Sequence, residues 1–306
     1  MPKAIRQFAK KAIPKPILIN TWERYCRRRA QSARAVFEAA GDDPAWLGLE
    51  ELAELQAAYP LEPMTYKYDD DSLAQRGRER ANEMLALVGK DASNLQHFLD
   101  LGMWDGMACY ALQQMGKQTV GIDIRVEGIT PVAATSGAQF AGMDASQLGF
   151  PDDTFDFIFS YNSFEHFPEP DKVLQEATRV VRPGGYIYLN FGPLWLSARG
   201  AHQFQVISVP YCECLFTKDT LTQFAEGQSI ELMGFFWMNE WPLTRYRQLW
   251  ETVSSQLERV AYYETFNADH VDLISRYPTC FRHKTRHFDD LIVSNIEVLF
   301  RKRQVG

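Results

Sequence analysis

The amino-acid sequence predicts an α/β fold in which a parallel sheet carries helices on both faces. Between residues 95 and 191, short apolar runs typical of buried strands alternate with helical stretches of about 10–15 residues. The apolar character of these runs is continuous and does not alternate, as expected for strands that are covered on both sides. Both observations indicate βαβ units, in which a helix joins consecutive parallel strands.

The strands themselves can be placed along the chain. The five strands of the central sheet are predicted at 95–101, 118–124, 137–143, 155–161 and 185–191. Two further candidates follow at 229–238 and 291–300. The aromatic-rich segment between them, 239–288, is too long for an unstructured loop. We therefore predict a helical cap inserted between the last two strands, with a helix over residues 246–263.

The region before the first strand has helical periodicity and is predicted as an N-terminal extension over residues 1–90. Its last helix runs from Asp71 to Val88 and stops at Gly89, because glycine is the residue that most often follows a helix C-terminus. The extension is predicted to be basic and helical and to contribute no strand to the sheet.

The composition excludes several classes of protein. The chain has 306 residues, of which 46% are hydrophobic and 23% are charged, as in folded globular proteins and unlike disordered ones. No apolar run approaches the roughly 20 residues that cross a bilayer. The five cysteines lack CxxC spacing and predict neither a disulfide framework nor a zinc site. We therefore expect a cytoplasmic protein without a metal ion.

The charge is distributed unevenly. The net charge is −7, yet residues 1–35 carry ten lysine and arginine side chains against one acid, Glu23. The acidic remainder argues against a nucleic-acid surface that covers the whole protein. The basic N-terminus has two open interpretations, a solvated helix face or a peripheral contact with an anionic membrane or with phosphates.

The first strand is followed by a glycine turn that predicts a nucleoside site. Ligands of open parallel sheets bind at the carboxyl ends of the strands, and here the chain turns from Gly102 to Gly106 into a helix. Asp123 stands at the end of the second strand, where a carboxylate can hold two ribose hydroxyls.

Charge decides which nucleoside this site favours. Asp105 lies inside the turn and would repel the pyrophosphate of a dinucleotide. S-Adenosyl-L-methionine has no phosphate, and Asp100 and Asp105 can neutralise its ammonium and sulfonium groups. The sequence therefore predicts S-adenosyl-L-methionine as the cofactor and S-adenosyl-L-homocysteine as the product.

A longer string downstream carries a family resemblance. It reads MDASQLGFPDDTFDFIFS over 143–160, continues with Glu165 and His166, and ends with EATRVVRPGG over 176–185. Together with the glycine turn, this string resembles the class I S-adenosylmethionine-dependent methyltransferases, in particular the group called methyltransferase type 11, over about residues 75–192. The resemblance implies a Rossmann-like, seven-stranded methyltransferase sheet with helices on both faces. The whole methyltransferase domain is predicted over residues 91–306.

The resemblance also implies roles for individual residues. Asp144 and Ala145 would contact the adenine and Asp123 the ribose, while the glycines let the backbone approach the methionine moiety. The complete predicted cofactor-binding set is Asp100, Gly102, Asp105, Gly106, Asp123, Ile124, Asp144, Ala145 and Tyr161. One departure from the family pattern is that Met103 and Trp104 replace the small residues usual between the first glycines.

The predicted reaction is O-methylation of a small molecule or a saccharide acceptor. An acceptor hydroxyl must lose its proton, and the candidate bases are His166 after the fourth strand and His202 after the fifth. Arg276, Arg282 and Arg286 belong to a basic, aromatic-rich stretch that is predicted to bind a phosphorylated, acidic or saccharide acceptor. Each histidine has a structural alternative in a local hydrogen bond, and the arginines have one in a solvated basic face.

Two alternative functions stay open. The basic N-terminus is compatible with an RNA (tRNA-modifying) methyl- or related group transferase, and RNA binding that falls steeply with salt would indicate it. The other alternative is a non-catalytic module that binds S-adenosylmethionine. The net negative charge makes nucleic acid the less favoured partner, and the sequence predicts no oligomeric state.

Overall fold

The computed structural model describes residues 14–61, 67–203, 206–230, 232 and 237–304. Strands and helices alternate through the middle of the chain, and seven strands form one sheet. The predicted α/β class with a seven-stranded sheet is confirmed. Within the described ranges, no helix combines the length and the apolar character that crossing a bilayer requires.

The order of the strands locates the crevice where a ligand of such a sheet binds. The strands are β1 His97–Leu101, β2 Gln118–Asp123, β3 Gln139–Gly142, β4 Phe155–Tyr161, β5 Val181–Phe191, β6 Leu257–Phe266 and β7 Val293–Lys302. Their order in the sheet is β3-β2-β1-β4-β5-β7-β6, and β1 to β5 pair in parallel. The chain order reverses between β1 and β4, so the crevice is expected at the carboxyl ends of these two strands.

The helices begin and end at residues with clear local reasons. They are α1 Lys15–Arg29, α2 Gln31–Ala39, α3 Leu49–Ala58, α4 Asp70–Val88, α5 Met107–Gln114, α6 Pro131–Ala134, α7 Pro170–Val180, α8 Cys212–Leu215, α9 Lys218–Glu226, α10 Leu243–Thr252, α11 Val271–Arg276, α12 Pro278–Arg282 and α13 Asp289–Ile292. The side chain of Asp69 accepts a hydrogen bond from the backbone of Ser72 at the start of α4. Gly89 ends that helix with a φ of +70°, as its position in the sequence predicted.

The residues group into two compact units. The sheet unit comprises Met64–Phe191, Arg247–Tyr262 and Glu297–Gly306, and the helical unit comprises Met1–Pro63, Gly192–Tyr246 and Tyr263–Ile296. These names are kept below. The predicted boundary between residues 90 and 91 and the predicted cap over 239–288 stay predictions.

The core of the sheet unit explains why the central strands were recognisable. All seven residues of β4 are buried, and its aromatic rings pack against those of β5, with 6.3 Å between the ring centres of Phe157 and Tyr186. Met84 of α4 and Leu112 of α5 are fully buried in the same cluster. Each buried side chain of this size contributes about 1.5–3 kcal/mol.

The predicted position of the sixth strand is wrong. The prediction at 229–238 falls partly on residues 231 and 233–236, which lie outside the described residues, and its described residues are not in a strand. The sixth strand is β6, which begins inside the stretch 246–263 predicted to be helical and ends beyond it. The first part of that stretch does belong to a helix, α10. The β-branched and aromatic residues of β6 favour a strand, although its Glu and Arg side chains imitate a helical pattern. Helices α11, α12 and α13 do lie between the last two strands.

The basic N-terminus is only partly described. Lys3, Arg6, Lys10 and Lys11 lie outside the described residues. Helix α1 ends with three arginines in its last turn. The guanidinium of Arg27 pairs with Asp289 at 2.8 Å and with Glu23 at 2.8 Å, so part of this charge is used inside the helical unit.

Candidate functional site

The turn after β1 is built around Gly102 and joins the ends of β1 and β4. Gly102 has a φ of +79°, which favours glycine. A Cβ at this position would lie 2.4 Å from the Cβ of Ser163, which follows β4. The Ser163 hydroxyl donates a hydrogen bond to the Gly102 carbonyl at 3.0 Å. Glycine is therefore required both for the backbone conformation and for the close approach of the two strand ends.

The second half of the turn starts helix α5. Gly106 is the N-cap of this helix, with a φ of +72°. Asp105 is buried, and its carboxylate accepts a hydrogen bond from the backbone N–H of Met107 at 2.9 Å. The Asp105 carbonyl accepts a second bond from the N–H of Thr130 at 3.1 Å. Asp105 thus places a negative charge at the helix N-terminus, where a dinucleotide would have to bring its pyrophosphate.

The two bulky residues of the turn, Met103 and Trp104, differ in burial. Met103 is buried, and its sulfur lies only 2.7 Å from where a Cβ of Gly121 would be. Trp104 is 55% exposed, and its carbonyl oxygen lies 3.2 Å from where a Cβ of Gly128 would be. Gly121 on β2 therefore makes room for Met103, which explains how the turn accepts a large residue at this position.

Asp123 lies at the end of β2, directly beside the turn. Its carboxylate accepts hydrogen bonds from the backbone N–H groups of Trp104, at 3.4 Å, and Arg125, at 3.1 Å. A carboxylate oxygen has two acceptor positions, so each oxygen can still accept a bond from a ligand hydroxyl. The next residue, Ile124, is 77% exposed.

Asp100 on β1 adds a third carboxylate to this region. It is 4% exposed, and the thiol of Cys109 donates to it at 3.8 Å. Burial raises the pKa of Asp100 to about 8; Arg80 opposes this shift, and the negative charges of Asp105 and Asp123 add to it. Three carboxylates therefore influence one another here, and a cationic ligand would stabilise them.

Asp144, Ala145 and Tyr161 have different surroundings. Asp144 follows β3, is exposed, and accepts a hydrogen bond from the N–H of Ser146 at 2.8 Å, while Ala145 is buried. The Tyr161 ring lies in the core, where its hydroxyl donates to the carbonyl of Arg80 at 3.1 Å. Burial raises the pKa of Tyr161. The structure thus gathers the turn, Asp100 and Asp123, and it gives Tyr161 a core position.

The two predicted bases belong to different units. His166 follows β4 in the sheet unit, is half-buried, and donates its backbone N–H to the carbonyl of Ser163 at 2.9 Å. His202 belongs to the helical unit, and its Nε2 lies 3.0 Å from the carbonyl oxygen of Pro193. A carbonyl only accepts, so Nε2 of His202 carries the proton in this contact and the Nδ1 position is the one with a lone pair when the ring is neutral.

The three predicted acceptor-binding arginines lie in the helical unit, each with its own partner. Arg276 is stacked at 4.9 Å from the Tyr277 ring centre. Arg282 lies 5.4 Å from the ring centre of Phe37, and Arg286 donates to Asp42 at 2.8 Å. Within the ranges that the structure describes, no group of three His, Cys, Asp or Glu side chains is arranged to hold a metal ion.

Parts of this chain are similar to known proteins. Residues 99–189 match the family model described as a methyltransferase domain. An uncharacterized methyltransferase from Mycobacterium sp. (strain JLS) is 34% identical over 107 residues, which are 34% of this chain and 42% of that protein. An arsenite methyltransferase from Aquipseudomonas alcaligenes is 31% identical over 133 residues, 38% of each protein. The chain thus spans about half or less of the length of these two relatives.

The chain was also compared with solved structures. The crystal structure of a protein from Pyrococcus horikoshii OT3 covers 83% of this chain and 99% of its own length, at 17% identity and a TM-score of 0.45. The family match runs from β1 to β5 and includes the glycine turn, Asp123 and Asp144.

Proposed function

We propose that the chain methylates a hydroxyl of a small molecule or saccharide with S-adenosylmethionine, since residues 99–189 match the family model described as a methyltransferase domain. The observation that carries this proposal is the set of carboxylates beside the glycine turn. Asp100 and Asp105 are buried, Asp123 lies next to the turn, and this group of three acidic side chains suits a cationic nucleoside and disfavours a phosphate-bearing one.

The residues present fit this cofactor. Asp100 has its pKa raised by burial, so a cation beside it would restore the charged form. Asp123 would hold the ribose hydroxyls, the backbone at Gly102 would lie against the methionine moiety, and Asp144 with Ala145 would hold the adenine. When bound, S-adenosylmethionine supplies a methyl group attached to a positively charged sulfur.

The remaining task of the protein is to position the acceptor and to remove its proton. His166 lies in the segment that follows β4, and the carboxyl end of this strand meets the glycine turn through Ser163. In the proposed reaction an imidazole nitrogen of His166 takes the proton from the acceptor hydroxyl, and positioning supplies much of the remaining rate enhancement.

Replacing Asp123 with alanine is expected to weaken the binding of S-adenosylhomocysteine at least about 30-fold, because the loss of a carboxylate leaves two ribose hydroxyls without an acceptor. Isothermal titration calorimetry measures the effect, and a thermal melt shows that the variant is folded. The matched control is Asp152→Ala, since the Asp152 side chain is 72% exposed in the turn before β4. Equal affinity in wild type and Asp123→Ala would reject the site.

Replacing His166 with alanine is expected to lower turnover at least about tenfold and to leave the affinity for S-adenosylhomocysteine within about twofold. The assay is labelled-methyl transfer to pools of glycans, small molecules and RNA. His202→Ala serves as the comparison, because its Nε2 already donates to a backbone carbonyl. An unchanged rate in His166→Ala removes this residue from the mechanism, and transfer to RNA alone replaces the proposed acceptor.

A further inference from the structure

The helical unit contains a cavity of about 360 Å³, and none of the predicted site residues lines it. This volume is in the range of small-molecule sites. The lining residues that carry aromatic rings or charges include Trp46, Trp195, Glu213, Lys218, Glu240 and Lys284. Two of these side chains are indole rings, which can cover the flat face of a ligand, and two are lysines, which can neutralise an anion.

The two lysines of the cavity differ in whether an acidic side chain forms an ion pair with them. Lys218 forms an ion pair with Glu240 at 2.5 Å, and its ammonium lies 6.0 Å from the ring centre of Trp195. The ammonium of Lys284 lies 5.5 Å from the ring centre of Trp46. In the part of the chain that the structure describes, Lys284 has no carboxylate within ion-pair distance. Lys284 is therefore the cation of this cavity that an anionic ligand would pair.

Glu213 contributes a hydrogen-bond donor to the same lining. It is 4% exposed, and burial raises its pKa to about 8 although the positive charge of Lys284 opposes this shift, so the carboxyl group is mostly protonated at neutral pH. Its oxygens contact the thiols of Cys212 at 3.8 Å and Cys214 at 3.7 Å. In both contacts the thiol is the donor, so the O–H of the protonated Glu213 carboxyl group can donate to a ligand carboxylate in the cavity.

We propose that this cavity binds a small planar organic monoanion, an aromatic carboxylate, with its carboxylate on Lys284 and Glu213 and its ring against Trp46 and Trp195. One negative charge matches one lysine without an acidic partner. A phosphate dianion would leave a charge uncompensated in a half-enclosed space, and a neutral ligand would leave Lys284 without a counter-ion. The site requires no methyl transfer, and it can be tested whether or not the proposed enzymatic function holds.

The test uses naphthalene-2-carboxylate and its neutral isostere, naphthalene-2-carboxamide, titrated into the full-length chain by calorimetry at pH 7. The carboxylate is expected to bind at least about tenfold more tightly than the amide. Lys284→Met, which keeps the length of the side chain and removes its charge, is expected to weaken carboxylate binding at least about tenfold. Lys172→Met is the matched control, because Lys172 is an exposed lysine of the sheet unit paired with Glu169.

Two variants of Glu213 test whether its O–H group donates a hydrogen bond to the ligand carboxylate. Glu213→Gln keeps an N–H donor and is expected to retain carboxylate affinity within about threefold, whereas Glu213→Leu removes the donor and is expected to lose at least about fivefold. Equal binding of carboxylate and amide by the wild-type protein would overturn the proposal, and so would wild-type affinity in Lys284→Met. The comparison of carboxylate with amide uses only the wild-type protein. S-Adenosylhomocysteine titrated separately shows whether the cofactor site has failed instead.

Discussion

Replacing Gly102 with alanine is expected to lower the free energy of unfolding of the sheet unit by about 3–4 kcal/mol. The φ of +79° costs an alanine about 1–2 kcal/mol. The new Cβ would also lie 2.4 Å from the Cβ of Ser163, and overpacking of this kind costs about 1–3 kcal/mol. Ser163 has little room to withdraw, because its hydroxyl lies within hydrogen-bond distance of the carbonyls of Gly102 and Tyr161.

Gly116 provides a control with the same backbone conformation and no contact. Its φ is +77°, and a Cβ there would have no atom within 4 Å. Gly116→Ala is therefore expected to cost only about 1–2 kcal/mol. The difference between the two variants, measured by urea unfolding, isolates the contact with Ser163. Removing the opposing side chain in Gly102→Ala/Ser163→Gly is expected to recover about 1–2 kcal/mol.

A larger substitution at Gly102, compared with Gly116→Ala, tests ligand binding separately from stability. Gly102→Val is expected to abolish binding of S-adenosylhomocysteine at a temperature where the variant is still folded, since the valine side chain clashes with Ser163 and displaces the turn backbone that must approach the ligand. Gly116→Ala is expected to bind as the wild type does. Equal destabilisation by Gly102→Ala and Gly116→Ala would contradict the assignment of a close approach between the ends of β1 and β4.

Sequence patterns within a short segment predicted the elements whose residues share one environment, such as a strand that is buried along its whole length. The predicted and observed bounds of β4, 155–161, are the same, because its seven residues are all buried and a continuous apolar run is unambiguous in a parallel sheet. The end of α4 was predicted because Gly89 follows it. The glycine turn and Asp123 were predicted because they occupy neighbouring strand ends in any parallel sheet of this order.

Features that depend on contacts between residues far apart in the sequence were not predicted. Ser163 and Gly121 matter because Gly102 and Met103 pack against them, and no pattern within either segment records that contact. Most of β6 falls in a stretch predicted to be helical, because its charged residues fit a helical period. The cavity of the helical unit is lined by residues between Trp46 and Lys284, so only the folded chain shows it.

The unfolding free energy is expected to fall as the pH rises from 5 to 8, by about 4 kcal/mol through Asp100 alone. Burial raises the pKa of Asp100 from an ordinary value of 3.8 to about 8 in the folded state. Between these two values the folded protein holds a proton that the unfolded chain has released, so stability decreases by about 1.4 kcal/mol per pH unit. The contribution is complete below about pH 4 and levels off above about pH 8.

Asparagine at position 100 removes this dependence, because it keeps the shape of the side chain and does not titrate. Asp100→Asn is expected to be less sensitive to pH than the wild type, and Glu213→Gln is expected to act in the same direction, since the folded-state pKa of Glu213 is also about 8, against an ordinary 4.5. Urea unfolding of the ligand-free protein at intervals from pH 5 to 9 measures both effects.

Each single variant is expected to retain the slope contributed by the other carboxyl group, and the double variant is expected to retain neither. A slope that Asp100→Asn leaves unchanged would mean that Asp100 is ionised in the folded protein. A bound cation would then have no proton of Asp100 to displace, and the argument that the ligand restores the charged form of this carboxyl group would fail.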